Sequence, residues 1–199
     1  MSTWCALYIR TSNLIAVAGQ VSQWLKSVNG GEIQKRQCKS LDIVYGDRFI
    51  VGEESPTMIA LGTSTSGWTS LHFNSFNPLS DLAKDISRRL ETDVVTVMMQ
   101  SVSEAYYIQV FRNGGCLRRL SYSGDQGEWD EQSGNALPFE SKPLGHNIAG
   151  MGEEPFYVFD RSDTGAYCRN LGFDPDDDMR NVSWQLFESR PGRKWWRFW

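Results

Sequence analysis

Two stretches of this chain follow one pattern. WCALYIRTSNLIAVAGQVSQWL begins at Trp4 and WTSLHFNSFNPLSDLAKDISRRL begins at Trp68, an offset of 64 residues that slips to 65. In each, a Trp opens an alternating strand, an Asn (Asn13 or Asn77) stands where a helix N-cap belongs, and an amphipathic helix follows. Copies of one supersecondary unit cannot bury their apolar faces alone, so a repeat of this kind predicts a single architecture built from both.

In the first helix Leu14, Val17, Ala18, Val21, Leu25 and Val28 recur at three- and four-residue steps and share one face. In the second, Asn77 is the expected cap, Pro78 the first helical residue, and Leu79, Leu82, Ala83, Ile86 and Leu90 the apolar stripe, with Lys84, Arg88 and Arg89 toward water. VVTVMM (94–99) and YYIQVFR (106–112) then read as strands, and a turn at Asn113, Gly114 and Gly115 leads to a third, CLRRLSY (116–122). After the first helix, LDIV, RFIV and TMIAL are the expected strands, with turns at Gly46–Asp47 and Gly52–Pro56. The copies span about 4–67 and 68–123.

The fold class is therefore α+β: tandem strand-helix-strand-strand units forming an antiparallel sheet, both helices on one face and a concavity on the other. This element order resembles the gyrase-inhibitor-like, effector-binding superfamily over roughly residues 4–123. The resemblance implies a small-molecule pocket between the repeats. Candidates for its wall are Trp4, Tyr8, Trp68, His72, Tyr106 and Tyr107, although adjacent strand residues alternate faces and Tyr106 and Tyr107 cannot both point inward.

Residues 124–152, rich in Gly, Ser, Asn and Pro, read as a surface loop or linker. A C-terminal α/β appendage, 153–199, follows: FYVFD as a strand, Ser162 as a cap, a helix to Leu171 stopped by Gly172, and VSWQLFE as a last strand.

The bulk properties remove several function classes. A formal charge of −4 and a pI near 5.2 do not favour a polyphosphate partner, so no nucleic-acid role is expected. No stretch approaches the roughly 18–20 apolar residues of a membrane span, and the first residues lack a basic segment leading into an apolar core, which points to the cytoplasm. Cys5, Cys38, Cys116 and Cys168 form no CxxC pair and read as reduced thiols.

His72 and His146 are the only histidines, and no GxSxG or HExxH surrounds them. Gly30–Gly31 and Gly114–Gly115 fit turns, not a phosphate loop. Asp174, Asp176, Asp177 and Asp178 lack the alternating ligands, central Gly and closing Glu of a calcium loop, and read as a solvated acidic segment that steers a basic partner. The clusters Glu53–Glu54, Glu128/Asp130/Glu131 and Glu153–Glu154 read as solvated turns. The tail RPGRKWWRFW sets Arg190, Arg193, Lys194 and Arg197 among Trp195, Trp196, Phe198 and Trp199. So much apolar surface predicts cover by the domain itself, a partner protein, or less readily an anionic membrane.

With eight Trp and seven Tyr but no nucleophile, metal or cofactor motif, binding is expected over catalysis. The leading expectation is a non-catalytic cytosolic protein, of the bacterial immunity or regulatory kind, that binds and neutralises another protein. Its partner surface would include Asp174, Asp176, Asp177, Asp178, Trp195, Trp196 and Trp199. An effector-binding protein is the alternative, and an enzyme of unrecognised type the third reading.

Overall fold

Along the first strand, β1 (Thr3–Ile9), the side chains sort by parity: Cys5, Leu7 and Ile9 enter one core, while Trp4, Ala6 and Tyr8 enter another. A strand buried on both faces needs a layer on each side, and the rest of the chain supplies both. The computed structural model describes residues 3–50, 54–63, 67–124, 128–148, 156–180 and 183–190. After β1 come α1 (Leu14–Asn29), β2 (Glu32–Cys38), α2 (Asp42–Tyr45), β3 (Met58–Thr63), β4 (Thr69–Phe73), α3 (Ser80–Arg89), β5 (Asp93–Gln100), β6 (Ala105–Arg112), β7 (Gly115–Ser123) and β8 (Glu128–Gly134). The chain continues through β9 (His146–Ile148), β10 (Phe156–Val158), α4 (Arg161–Leu171), a 3-10 turn (Pro175–Arg180) and β11 (Trp184–Arg190).

The fold is α+β. Nine strands form one antiparallel sheet in the order β2-β11-β3-β4-β1-β5-β6-β7-β8, and β9 with β10 forms a small second sheet. The repeat is visible in the register at the centre. Leu7 pairs with Leu71, Ala6 with His72 and Tyr8 with Ser70, so the 64-residue offset maps the β1–β4 ladder onto itself about an axis beside Leu7. Trp4 and Trp68 are thereby equivalent and lie in the same core cluster. Helices α1 and α3 share the opposite face, where Val17, Val21 and Leu25 meet Leu82, Ala83 and Ile86 over Leu7, Leu71 and Phe73.

Beyond the first strand and helix the copies diverge. In the second, β5 follows the helix and lies directly beside β1. In the first, β2 lies at the sheet edge, β3 takes the place beside β4, and β11 enters between β2 and β3. The C-terminal unit thus contributes a strand to the sheet, with Leu186 and Phe187 buried on its two faces.

Several local expectations need correction. EIQKRQC, unassigned from sequence, is the edge strand β2, and its mostly exposed polar residues give no apolar alternation to read. LDIV is not a strand: Leu41 caps the one-turn helix α2, whose Val44 is buried against Met58, Ala60 and Trp184. In RFIV, Ile50 makes an isolated parallel bridge to Ser75, and Val51 lies outside the described residues. Helix α3 starts at Ser80 because Leu79 adopts φ 51°, and Asn77 Oδ1 instead accepts the Leu79 N–H at 2.9 Å. Residues 128–134, expected in a loop, add β8 to the sheet. Helix α4 is capped by Asp160, whose carboxylate accepts the Ser162 and Asp163 N–H groups, in a capping box completed by Asp163. Asn113 and Gly114, both at positive φ, make the β6–β7 turn as expected.

Candidate functional site

The residues proposed for a ligand wall do share a face. Trp4, Tyr8, Trp68, His72 and Tyr106 all lie on the side opposite α1 and α3, and Tyr107 points the other way, beside Met98. The face is not open, however. Phe173 stacks on Tyr8 with ring centroids 4.1 Å apart and lies 4.8 Å from Trp68, while Phe159 stands edge-on to Tyr106 at 6.1 Å. Tyr167 and Cys168 of α4 complete the cover, and Trp4, Tyr8, Trp68, His72 and Tyr106 are all buried. The concavity between the repeats is filled by the chain's own C-terminal unit.

At its centre is His72, fully buried and ringed by four aromatic side chains. Trp4 and Trp184 stand 5.0 Å away, Tyr45 at 5.9 Å and Tyr8 at 6.4 Å, each nearly perpendicular to the imidazole. Its Nε2 lies 2.9 Å from Asp178 Oδ2, and Ser70 donates to Asp178 Oδ1 at 3.1 Å. Its Nδ1 lies 2.7 Å from the Tyr45 hydroxyl, which also accepts the Cys5 N–H and lies 3.0 Å from the Cys5 carbonyl. A carboxylate only accepts, so Asp178 fixes a proton on Nε2, and the neutral imidazole then offers Nδ1 as acceptor to the Tyr45 hydroxyl. Burial, reinforced by the field of Asp178, holds the Tyr8 phenol well above its usual pKa, and burial does the same for Tyr45.

Ser70 donates to the aspartate, and the hydroxyl that meets the imidazole is the Tyr45 phenol, so the order is hydroxyl, imidazole, carboxylate. The group is, however, closed on all sides. Its chemistry is that of a latch: Ser70 and His72 from β4, Tyr45 from α2 and Asp178 from the 3-10 turn are tied into one buried hydrogen-bonded node.

Asp178 therefore leaves the proposed acidic surface: it is 1% exposed and spent on His72. Its neighbours stay near the surface but are engaged, Asp174 with Arg169 at 3.7 Å, Asp176 with Arg161 at 3.0 Å and Asp177 with Arg180 at 3.6 Å. Trp195, Trp196 and Trp199 lie outside the described residues.

A second buried node escaped the sequence reading. Arg118 of β7 forks onto Glu140 through Nε at 3.0 Å and Nη2 at 2.8 Å, and the Tyr167 hydroxyl donates to the same carboxylate at 2.6 Å. It joins β7, the segment after β8 and α4. Nothing in CLRRLSY or FESK marks those residues out, because their pairing spans 22 positions. His146 lies 2.8 Å from Asp163, with Asp160 close by, but both carboxylates already cap α4. The thiols of Cys5 and Cys168 are buried, and burial pushes both pKa values far above the usual range. All four cysteines are free.

Among the surface grooves is one on the α3 side of the sheet. It is lined by Phe76, Met98, Gln100, Tyr107, Ser121 and Asp130 and measures about 120 Å³. Pockets for drug-sized ligands run from roughly 300 Å³ upward, so this one admits a side chain. Beside it, Gln109 is buried with its carboxamide oxygen toward the Arg119 guanidinium and its NH2 toward Tyr107 and Ser80. No helix among the described residues is long and apolar enough to cross a membrane. Comparison of the chain with protein-family models, with curated proteins and with solved structures yields no match.

Proposed function

We propose that this chain is a non-catalytic protein-interaction protein, of immunity or regulatory type, that acts by binding another protein. The observation that carries the reading is the filled concavity: Phe173, Tyr167 and Asp178 occupy the face on which an effector would sit in a duplicated fold of this kind. The symmetric β1–β4 register supports the resemblance to the gyrase-inhibitor-like superfamily in architecture, while this cover argues for a departure in use. Recognition then falls to extended surfaces: the edge strands β2 and β8, whose outer backbone groups offer a template for a partner strand, and the partly exposed Asp174, Asp176 and Asp177.

The test is affinity capture from the native source, followed by reconstitution with the purified partner. A stoichiometric complex by light scattering is expected. Reversing Asp176 and Asp177 to Lys should slow association and weaken its salt dependence without lowering thermal stability. A small molecule that raises the unfolding temperature, with no protein partner forming a complex, would overturn the reading in favour of an effector-binding protein.

A further inference from the structure

We propose that successive copies of this chain join through the two edges of the large sheet, β8 of one molecule running beside β2 of the next, so that the sheet continues head to tail. Among the described residues each of these strands has a neighbour on one side only, which leaves its other edge a template for pairing. The two edges differ in charge. β2 carries Lys35 and Arg36 against the single Glu32, and exposed Lys26 of α1 lines the groove beside it with Ile33. β8, EWDEQSG, carries three carboxylates and no cation. These charges are largely unspent. Lys26, Lys35 and Asp130 have no ion-pair partner among the described residues, and Arg36 reaches Glu188 only at 3.9 Å.

Like charge guards each edge against its own copy. β2 beside β2 would bring Lys35 and Arg36 of both molecules together, and β8 beside β8 would do the same with Asp130 and Glu131. Opposite charge gives no such guard between β2 and β8. The geometry agrees. Every neighbouring pair in the nine-stranded sheet is antiparallel, so its two edge strands point the same way, and a copy displaced along the sheet sets β2 parallel to β8 with the helix-bearing faces aligned. On that face lie Ile33, packed on the core beneath α1, and Lys35, over the Phe187 ring at 5.3 Å. At the other edge a bulge makes Asp130 the extra residue, so Asp130 accepts the Ser121 hydroxyl at 3.2 Å while Glu131 lies 3.5 Å from Arg119. Ser121 and Arg119 share the helix-bearing face, and the bulge thus turns two neighbouring carboxylates to the side that holds the lysines. A contact between unlike surfaces does not close on itself, so the assembly grows one copy at a time.

The inference rests on the same reading of β2 and β8 as open templates that the proposed function uses, and its test needs only the purified full chain, so its failure leaves partner capture untouched. Sedimentation velocity over a wide concentration series is expected to show a weight-average mass that rises past that of a dimer, with association about tenfold weaker in high salt. Lys35→Glu with Arg36→Glu reverses the charge on β2, and Asp130→Lys with Glu131→Lys reverses it on β8. Each of these two variants should keep the thermal unfolding of the unmodified chain and remain monomeric. Mixed in equal amounts they should associate again, because one retains a native β8 and the other a native β2. A chain that is monomeric at every concentration overturns the proposal. So does a dimer that persists in either variant, which would assign the contact to like edges or to another surface, and so does a mixture that stays monomeric.

Discussion

Two histidine–aspartate pairs in this molecule have nearly the same contact length and opposite surroundings. His72 and Asp178 meet at 2.9 Å with neither side chain exposed, and His146 and Asp163 meet at 2.8 Å with side chains 48% and 21% exposed. In the first, water is replaced by four aromatic rings and a seryl and a tyrosyl hydroxyl, so every polar atom depends on its assigned partner. In the second, solvent substitutes for either member at little cost. The difference teaches that the pairing itself says little about importance. What surrounds it decides whether it fixes the fold, and here only the buried pair ties the C-terminal unit to the centre of the repeat.

The largest expected effect follows from breaking the buried pair. Asp178→Ala leaves His72 Nε2 and the Ser70 hydroxyl without their partner inside the core, and should destabilise the protein by about 3 kcal/mol. For a chain of this length that lowers the unfolding midpoint by roughly 6–12 °C. An unchanged midpoint by calorimetry would show that the C-terminal unit is held without the His72–Asp178 pair. Tyr167→Phe probes the second buried node more gently. It removes one donor to the Glu140 carboxylate while Arg118 stays in place, and should cost about 1.5–2 kcal/mol, measured by urea unfolding.

Much of the centre of the fold was legible and much of its rim was not. The stripes Val17, Val21, Leu25 and Leu82, Ala83, Ile86 carry a helical period, and Val94–Met99 and Tyr106–Arg112 are apolar runs bounded by turns, so these elements announce themselves. Strands β2 and β8 do not, because EIQKRQC and EWDEQSG are edge strands with polar residues toward solvent, and only their partners β11 and β7 make them strands. The shared face of Trp4, Tyr8, Trp68 and His72 followed from alternation within strands. Its occupation by Asp178 and Phe173 did not, since those contacts join positions about a hundred residues apart and no local pattern encodes them. Asp178 looked like part of a solvated acidic run for the same reason.

A smaller effect is expected at the start of α1. Asn13 Oδ1 accepts the Ala16 N–H at 3.1 Å, and no acidic residue in the first turn offers a substitute. Asn13→Ala should cost about 1 kcal/mol, the usual loss of an N-cap. The corresponding change at Asn77 removes the acceptor of the Leu79 N–H, which lies before the helix begins. Equal losses at the two sites, measured by thermal unfolding, would show that the repeat preserves cap energetics despite the different geometry.

The exposed histidine pair gives the smallest signal and the one with a defined pH course. The hydrogen bond to Asp163, followed by that residue's charge, raises the pKa of His146 above 6.5, so the folded protein binds this proton more tightly than the unfolded chain does. Stability from the pair is therefore fully present below pH 6.5 and is lost as pH rises through the raised folded value. Solvent screening limits it to roughly a few tenths of a kcal/mol. Replacing His146 with Gln leaves the Asp160–Asp163 capping box intact, so the difference in unfolding midpoint between the two proteins isolates the pair. That difference should favour the histidine protein at pH 5, shrink as pH passes neutrality and vanish by pH 9, an interval chosen to bracket the unperturbed histidine value. A difference that stays constant across this range would mean that His146 acts by packing against α4 and not by charge, and the contrast with His72 would then rest on burial alone.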